Sequence, residues 1–201
     1  QLVREIADDM GLDFKSFSHD WILQLAQGET KRHIFGYNFE INSATAHMLA
    51  SDKAATSSLL KSAGLPHVEH KFFLHARLHK HISGQGNWDP ILDYAKQHGY
   101  PLVIKPNEGT GGNDVTKVEN QLELEQCVTK LFGKTREISI SPYVEIEQEY
   151  RAILLDDEVM VIYAKMRPTL IGNGQASIIE LLQRKSIEQG SPHSLASKAM
   201  E

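Results

Sequence analysis

The chain has 201 residues, 41% apolar and 23% charged, with a net charge of −5. That is the profile of a soluble globular protein of one domain or two small lobes. No polybasic run invites nucleic acid or an anionic membrane surface as the main partner, and no apolar stretch approaches a membrane span.

The lone Cys127 excludes an internal disulfide and fits a reducing, cytoplasmic compartment. Residues 3–10 read as a helix ended by the turn Gly11-Leu-Asp13, with strand-like runs near 14–18 and 33–37. The segment 51–66 carries helix punctuation: Ser51 or Asp52 can cap its start, and Gly64 before Leu65-Pro66 ends it. A strand near 69–74 precedes a polar stretch containing Gly84-Gln-Gly86. Asp89-Pro90 then opens a helix with proline in its first turn, and Gly99 closes it.

Asn120-Gln-Leu-Glu123 is a capping-box variant heading a helix through Leu131, whose apolar side carries Cys127 as a buried structural thiol. Residues 138–144 read as a strand entering a connector; taken blandly, Pro142 would make it an edge strand. The runs 150–155 and 159–164 flank Asp156-Asp-Glu158 as an antiparallel hairpin, and Ser177-Ile-Ile-Glu180 is a second capping box before the last helix. A start at Gln1 and a stop soon after that helix lead us to expect a piece of a longer protein, truncated at both ends. The element order of 66–144 points to a small α+β lobe beside a larger sheet.

The richest stretch is Pro101-Leu-Val-Ile-Lys-Pro-Asn-Glu-Gly-Thr-Gly-Gly-Asn-Asp-Val-Thr-Lys-Val118. Glycines at 109, 111 and 112 free the backbone so that several N–H groups can face one anion, and Lys105 adds a full positive charge at the loop's mouth. The loop lacks the Gly-Lys-Ser/Thr ending of a Walker A sequence, and Asp114 stands where a dinucleotide fingerprint wants glycine. Those loops open helices, whereas 115–118 alternates like a strand. The expected geometry is strand, glycine-rich flap, strand, over phosphates. Five histidines (67, 70, 75, 79 and 81) lack the supporting ligands of a metal site and read as solvated or partly packed.

Ser51-Asp-Lys53 opens a helix closed by Ala63-Gly-Leu-Pro66. Pro101-Leu-Val-Ile-Lys105-Pro106, the flap, Tyr143-Val-Glu145 and Glu149-Tyr-Arg151 follow in an order that resembles the ATP-grasp superfamily. Ile171-Gly-Asn-Gly174 before Ser177-Ile-Ile-Glu-Leu-Leu182 is most similar to the cyanophycin synthetase and bifunctional glutathione synthetase branch. D-alanine–D-alanine ligase shares the first three motifs more loosely. The resemblance covers roughly residues 45–190.

It implies an α+β ATP-grasp fold, two lobes with nucleotide between antiparallel sheets. Residues 1–50 would end an N-terminal α/β region, 51–142 would supply a helix and the small lobe with its flap, and 143–201 would begin the large lobe. Carried over by position, Lys53 and Lys105 reach the nucleotide phosphates, covered by Gly109, Thr110, Gly111, Gly112 and Asn113. Pro142, Tyr143 and Val144 take the adenine, and Glu149 takes the ribose, with Glu147 as its substitute. Arg151 and Lys165 are the expected catalytic cations facing phosphate or carboxylate, with Arg167 close by in sequence.

The implied activity is ATP-dependent ligation of a carboxylate to an amine or thiol through an acyl phosphate. The cofactors would be ATP and Mg2+, with metal ligands outside this chain, so the fragment alone is expected to be inactive. Partners would be the small-molecule carboxylate and amine or thiol substrates, with no nucleic acid, no membrane, and a homo-oligomer possible. The alternative is a non-catalytic nucleotide-binding or regulatory module; a third reading is an unrelated α+β domain whose glycine loop is only a turn.

Overall fold

The computed structural model describes residues 1–81, 88–166 and 169–188, and only the backbone of 79–81 and 186–188. Gly84-Gln-Gly86, Arg167 and the side chains of His79 and His81 therefore lie outside the described residues. The chain divides into two compact units, Gln1–Val144 and Glu145–Glu201.

The first unit opens with α1 (Leu2–Asp9), packed on an antiparallel meander of β1 (Asp13–Phe17), β2 (Ile22–Gln27), β3 (Thr30–Phe35) and β4 (Asn38–Phe39). Sequence reading assigned neither β2 nor β4. Ile22-Leu-Gln-Leu-Ala-Gln27 is a short apolar run without clean alternation, and only pairing with both neighbours defines it as a strand. Helix α2 (Ala44–Ser51) was also unassigned, because its small residues carry no apolar stripe.

Helix α3 (Lys53–Ser62) follows without a loop. Its N-cap is Asp52, whose carboxylate accepts the Ala55 N–H at 2.7 Å. Ser51 belongs to α2 instead and donates to His47 O at 2.9 Å. Past the C-cap Ala63, Gly64 takes φ +69, a left-handed value that glycine adopts without steric cost.

A second sheet has the order β5 (Lys71–Leu74), β8 (Glu137–Pro142), β6 (Leu102–Pro106), β7 (Thr116–Val118), with every pair antiparallel. Strand β8 is therefore interior and not an edge; Pro142 is tolerated because it sits at the strand's end, opposite Leu102. One face of the sheet carries Phe73, Leu102, Ile104, Ile138 and Ile140, all 0% exposed. Ile91, Tyr94 and Ala95 of α4 (Trp88–His98) and Leu124, Cys127, Val128 and Leu131 of α5 (Gln121–Phe132) cover it. Each large side chain buried there contributes about 1.5–3 kcal/mol.

Asn120 caps α5, its Oδ1 accepting Glu123 N–H while the Glu123 carboxylate accepts Glu119 N–H. Strand alternation places Phe72, Ser139 and Lys105 in one cross-strand row on the sheet's other face.

The second unit holds the hairpin β9 (Glu149–Leu155) and β10 (Glu158–Lys165), bulged between Val159 and Val161. Its α6 (Ile178–Glu188) starts with the Ser177–Glu180 capping box, in which Glu180 N–H donates to Ser177 Oγ at 3.3 Å and Ser177 N–H donates to the Glu180 carboxylate at 2.7 Å.

Candidate nucleotide site

The flap runs from the end of β6 to the start of β7. Gly109, Gly111 and Gly112 have φ of +124, +77 and +78. No neighbour would obstruct a Cβ at Gly109 or Gly112, so the backbone angle and not space demands glycine there. Asp114 also takes a positive φ and pairs with Lys134 Nζ at 2.6 Å, tying the flap's far end to the loop after α5. Gly109, Thr110, Gly111, Gly112 and Asn113 are all exposed.

The flap's near end is anchored by Asn107, which is 0% exposed. Its Oδ1 accepts Ala54 N–H at 3.2 Å, and its backbone carbonyl accepts Lys53 N–H at 3.2 Å and Lys53 Nζ–H at 3.1 Å. Lys53 Nζ also donates to Gly109 O at 3.2 Å. The first turn of α3 and the phosphate-type loop, 54 positions apart in sequence, are thus one hydrogen-bonded assembly. Sequence reasoning missed Asn107. A polar residue after Lys-Pro reads as an ordinary loop residue, and only α3 packing across it produces its burial.

Lys53 and Lys105 lie close enough for their charges to oppose each other. Burial, and then Lys53, hold the Lys105 ammonium below its ordinary range. Burial likewise lowers Lys53, partly offset by Asp52 and Glu108. Among the described residues no carboxylate comes within ion-pair distance of either ammonium, and Lys105 Nζ makes no hydrogen bond.

Next to Lys105 in the row, the fully buried Ser139 Oγ also has no partner among the described residues, nor does the buried Nε2 of His70. Native proteins rarely leave such groups unsatisfied without a reason, and two neighbouring cations with no ion-paired carboxylate among the described residues, beside unused polar atoms, suit a polyanion. The donor set therefore fits a nucleotide's phosphates.

Pro142 ends β8, and Tyr143 N–H is used within the fold, donating to Pro101 O at 3.1 Å. Lys117 Nζ lies 4.5 Å from the Tyr143 ring centroid, and Val144 is 47% exposed. In the second unit, Lys165 pairs with Glu149 across the hairpin at 3.0 Å, and Arg151 stands opposite Tyr163 on the same face. Glu147 lies in the segment before β9. Among the described residues no group of three or more His, Cys, Asp or Glu side chains could hold a metal ion. Nor is any helix among them long and apolar enough to cross a membrane.

Residues 59–170, more than half of the chain, match the family described as D-ala D-ala ligase C-terminus. Cyanophycin synthetase of Trichormus variabilis is 24% identical over 183 residues, 90% of this chain and 19% of that protein. The chain thus spans about a fifth of the length of the curated relatives it matches. A RimK domain protein ATP-grasp from Sphaerobacter thermophilus aligns at 21% identity and TM-score 0.49, over 65% of this chain and 47% of that one. A bifunctional glutathione synthetase from Pasteurella multocida aligns at 20% identity and TM-score 0.45, over 88% and 23%. On the family match, the chain belongs to the D-ala D-ala ligase C-terminal family, with its α+β ATP-grasp fold.

Proposed function

We propose that the chain is the ATP-binding portion of an ATP-dependent carboxylate–amine or carboxylate–thiol ligase. The observation that carries this is the Lys53–Lys105 pair, two ammonium groups at the base of a glycine flap with no carboxylate of the described residues within ion-pair distance. Two cations on separate elements suit a triphosphate, because their fields add at its oxygens.

Lys53 and Lys105 would neutralise the phosphates, and N–H groups of 109–113 would cradle them. Pro142, Tyr143 and Val144 are assigned to the adenine, Glu149 (or Glu147) to the ribose, and Arg151 and Lys165 to the transferring phosphoryl or the substrate carboxylate. When bound, ATP supplies the phosphoryl group that activates the carboxylate as an acyl phosphate. The chain's own residues orient that group, spread its charge and keep water out. Mg2+, the small-molecule substrates and a cytoplasmic setting belong to the same reading. So does the division of labour that gives 51–142 to the small lobe and 143–201 to the large one.

Calorimetric titration with ADP and magnesium tests it. Binding that falls at least about tenfold in both Lys53→Ala and Lys105→Ala is expected. The absence of heat and of thermal protection in the unsubstituted chain would overturn it. A non-catalytic nucleotide module would bind in the same way yet lack turnover in the full-length protein.

A further inference from the structure

His70 stands immediately before β5, two residues from Phe72, so strand alternation gives it the face that also carries Ser139 and Lys105. Its backbone N–H donates to Ser57 Oγ at 3.0 Å, and that hydroxyl donates to Val68 O at 3.3 Å. The ring is held as well: Nδ1–H donates to Val68 O at 2.8 Å. A neutral ring with its proton on Nδ1 presents Nε2 as a lone pair, and that lone pair is buried with no partner among the described residues. A cavity of about 370 Å³, lined by His70, Asp52, Ala54, Ser58, Lys71 and Phe72, opens beside it.

The charges around this ring are mostly positive. Lys105 acts on it from β6, Lys53 from α3, and His67 from its own segment. Lys71 and Asp52 share the cavity wall, while β8 presents Glu137, Ser139 and Ser141 on this face, with the Glu137 carboxylate opposite Leu74 at the other end of β5. Burial first, and then Lys105, keep the imidazole below its ordinary range, so it stays neutral near pH 7. A polyanion between the two lysines reverses that field.

We propose that His70 is a further phosphate ligand of this site: as the nucleotide binds, Nε2 takes one proton from solvent and donates it as N–H to a phosphate oxygen, with Ser139 Oγ–H donating alongside. The idea rests on the nucleotide reading above, and it makes affinity a function of pH. Tight binding is present at low pH and is lost as pH rises through the raised value of His70 in the complex.

The test is calorimetry with ADP and magnesium at about pH 7 in buffers of different ionisation enthalpy. The unsubstituted chain is expected to take up a large fraction of one proton per nucleotide. His70→Gln is expected to bind about tenfold more weakly and without uptake. NMR of the His70 ring nitrogens, with and without ADP, reads the same protonation without any variant. Nucleotide binding with no proton uptake, an unchanged uptake in His70→Gln, or a ring that stays neutral in the complex would overturn the inference while leaving the nucleotide reading intact. Failure of the unsubstituted chain to bind ADP at all would remove both.

Discussion

Lys53 and Asn107 are bonded twice: the lysine's backbone N–H and its ammonium both donate to the Asn107 carbonyl, at 3.2 and 3.1 Å. The cation expected to meet phosphate therefore also holds the base of the flap that covers it. A bound phosphate would compete with the Asn107 and Gly109 carbonyls for the same ammonium, which couples ligand binding to the flap's anchorage.

Asn107→Ala removes the acceptor for Ala54 N–H and loosens that anchorage. We expect a loss of about 1–3 kcal/mol in stability, from the orphaned buried donor, together with weaker ADP binding. Urea unfolding and an ADP titration on the same variant check it. A variant as stable as the parent would show that the Asn107 side chain does not tie the two elements together.

Lys105→Met should separate stability from function. Removing a half-buried cation that has no ion-paired carboxylate among the described residues relieves desolvation, so the variant is expected to be as stable as the parent or up to about 1 kcal/mol more stable. Nucleotide binding should fall at least about tenfold. Marked destabilisation, with binding retained, would refute the assignment of Lys105 to the ligand.

Gly109→Ala forces a Cβ onto a backbone at φ +124, which side-chain-bearing residues rarely adopt. The cost should be about 1–3 kcal/mol of local strain, borne by the flap and not by the core. Thermal unfolding of the core should change little, while proteolytic cleavage within 107–115 should accelerate. Equal cleavage rates in parent and variant would count against a strained, glycine-dependent flap.

The pH dependence of the unliganded fold follows from His70. Its folded-state pKa lies below the unfolded imidazole value, so the unfolded chain binds more protons in the window between them. Stability is present above about pH 6.5 and is lost as pH falls through the lowered value. His70→Gln should flatten that part of the curve, measured by denaturant midpoint against pH. An identical slope in the variant would assign the loss to other groups.

Much of the local architecture was legible because its causes are local. Gly64 and Gly99 ended helices, the Asn120–Glu123 and Ser177–Glu180 boxes started them, and alternation flanking the glycine loop announced two paired strands. The sequence alone also singled out Lys53 and Lys105, through order and motif. What it could not supply depended on contacts between distant positions. The interior place of β8 comes from pairing with β5 and β6, and the strand character of 22–27 comes from two neighbours. Burial of Asn107 requires α3 to pack across it, and that Ser139 Oγ and His70 Nε2 lack partners among the described residues emerges only when three strands present one face together. Capping and turn chemistry act within a few residues; burial and charge–charge opposition are properties of the folded neighbourhood, and here they decided which polar groups stay buried without a partner among the described residues.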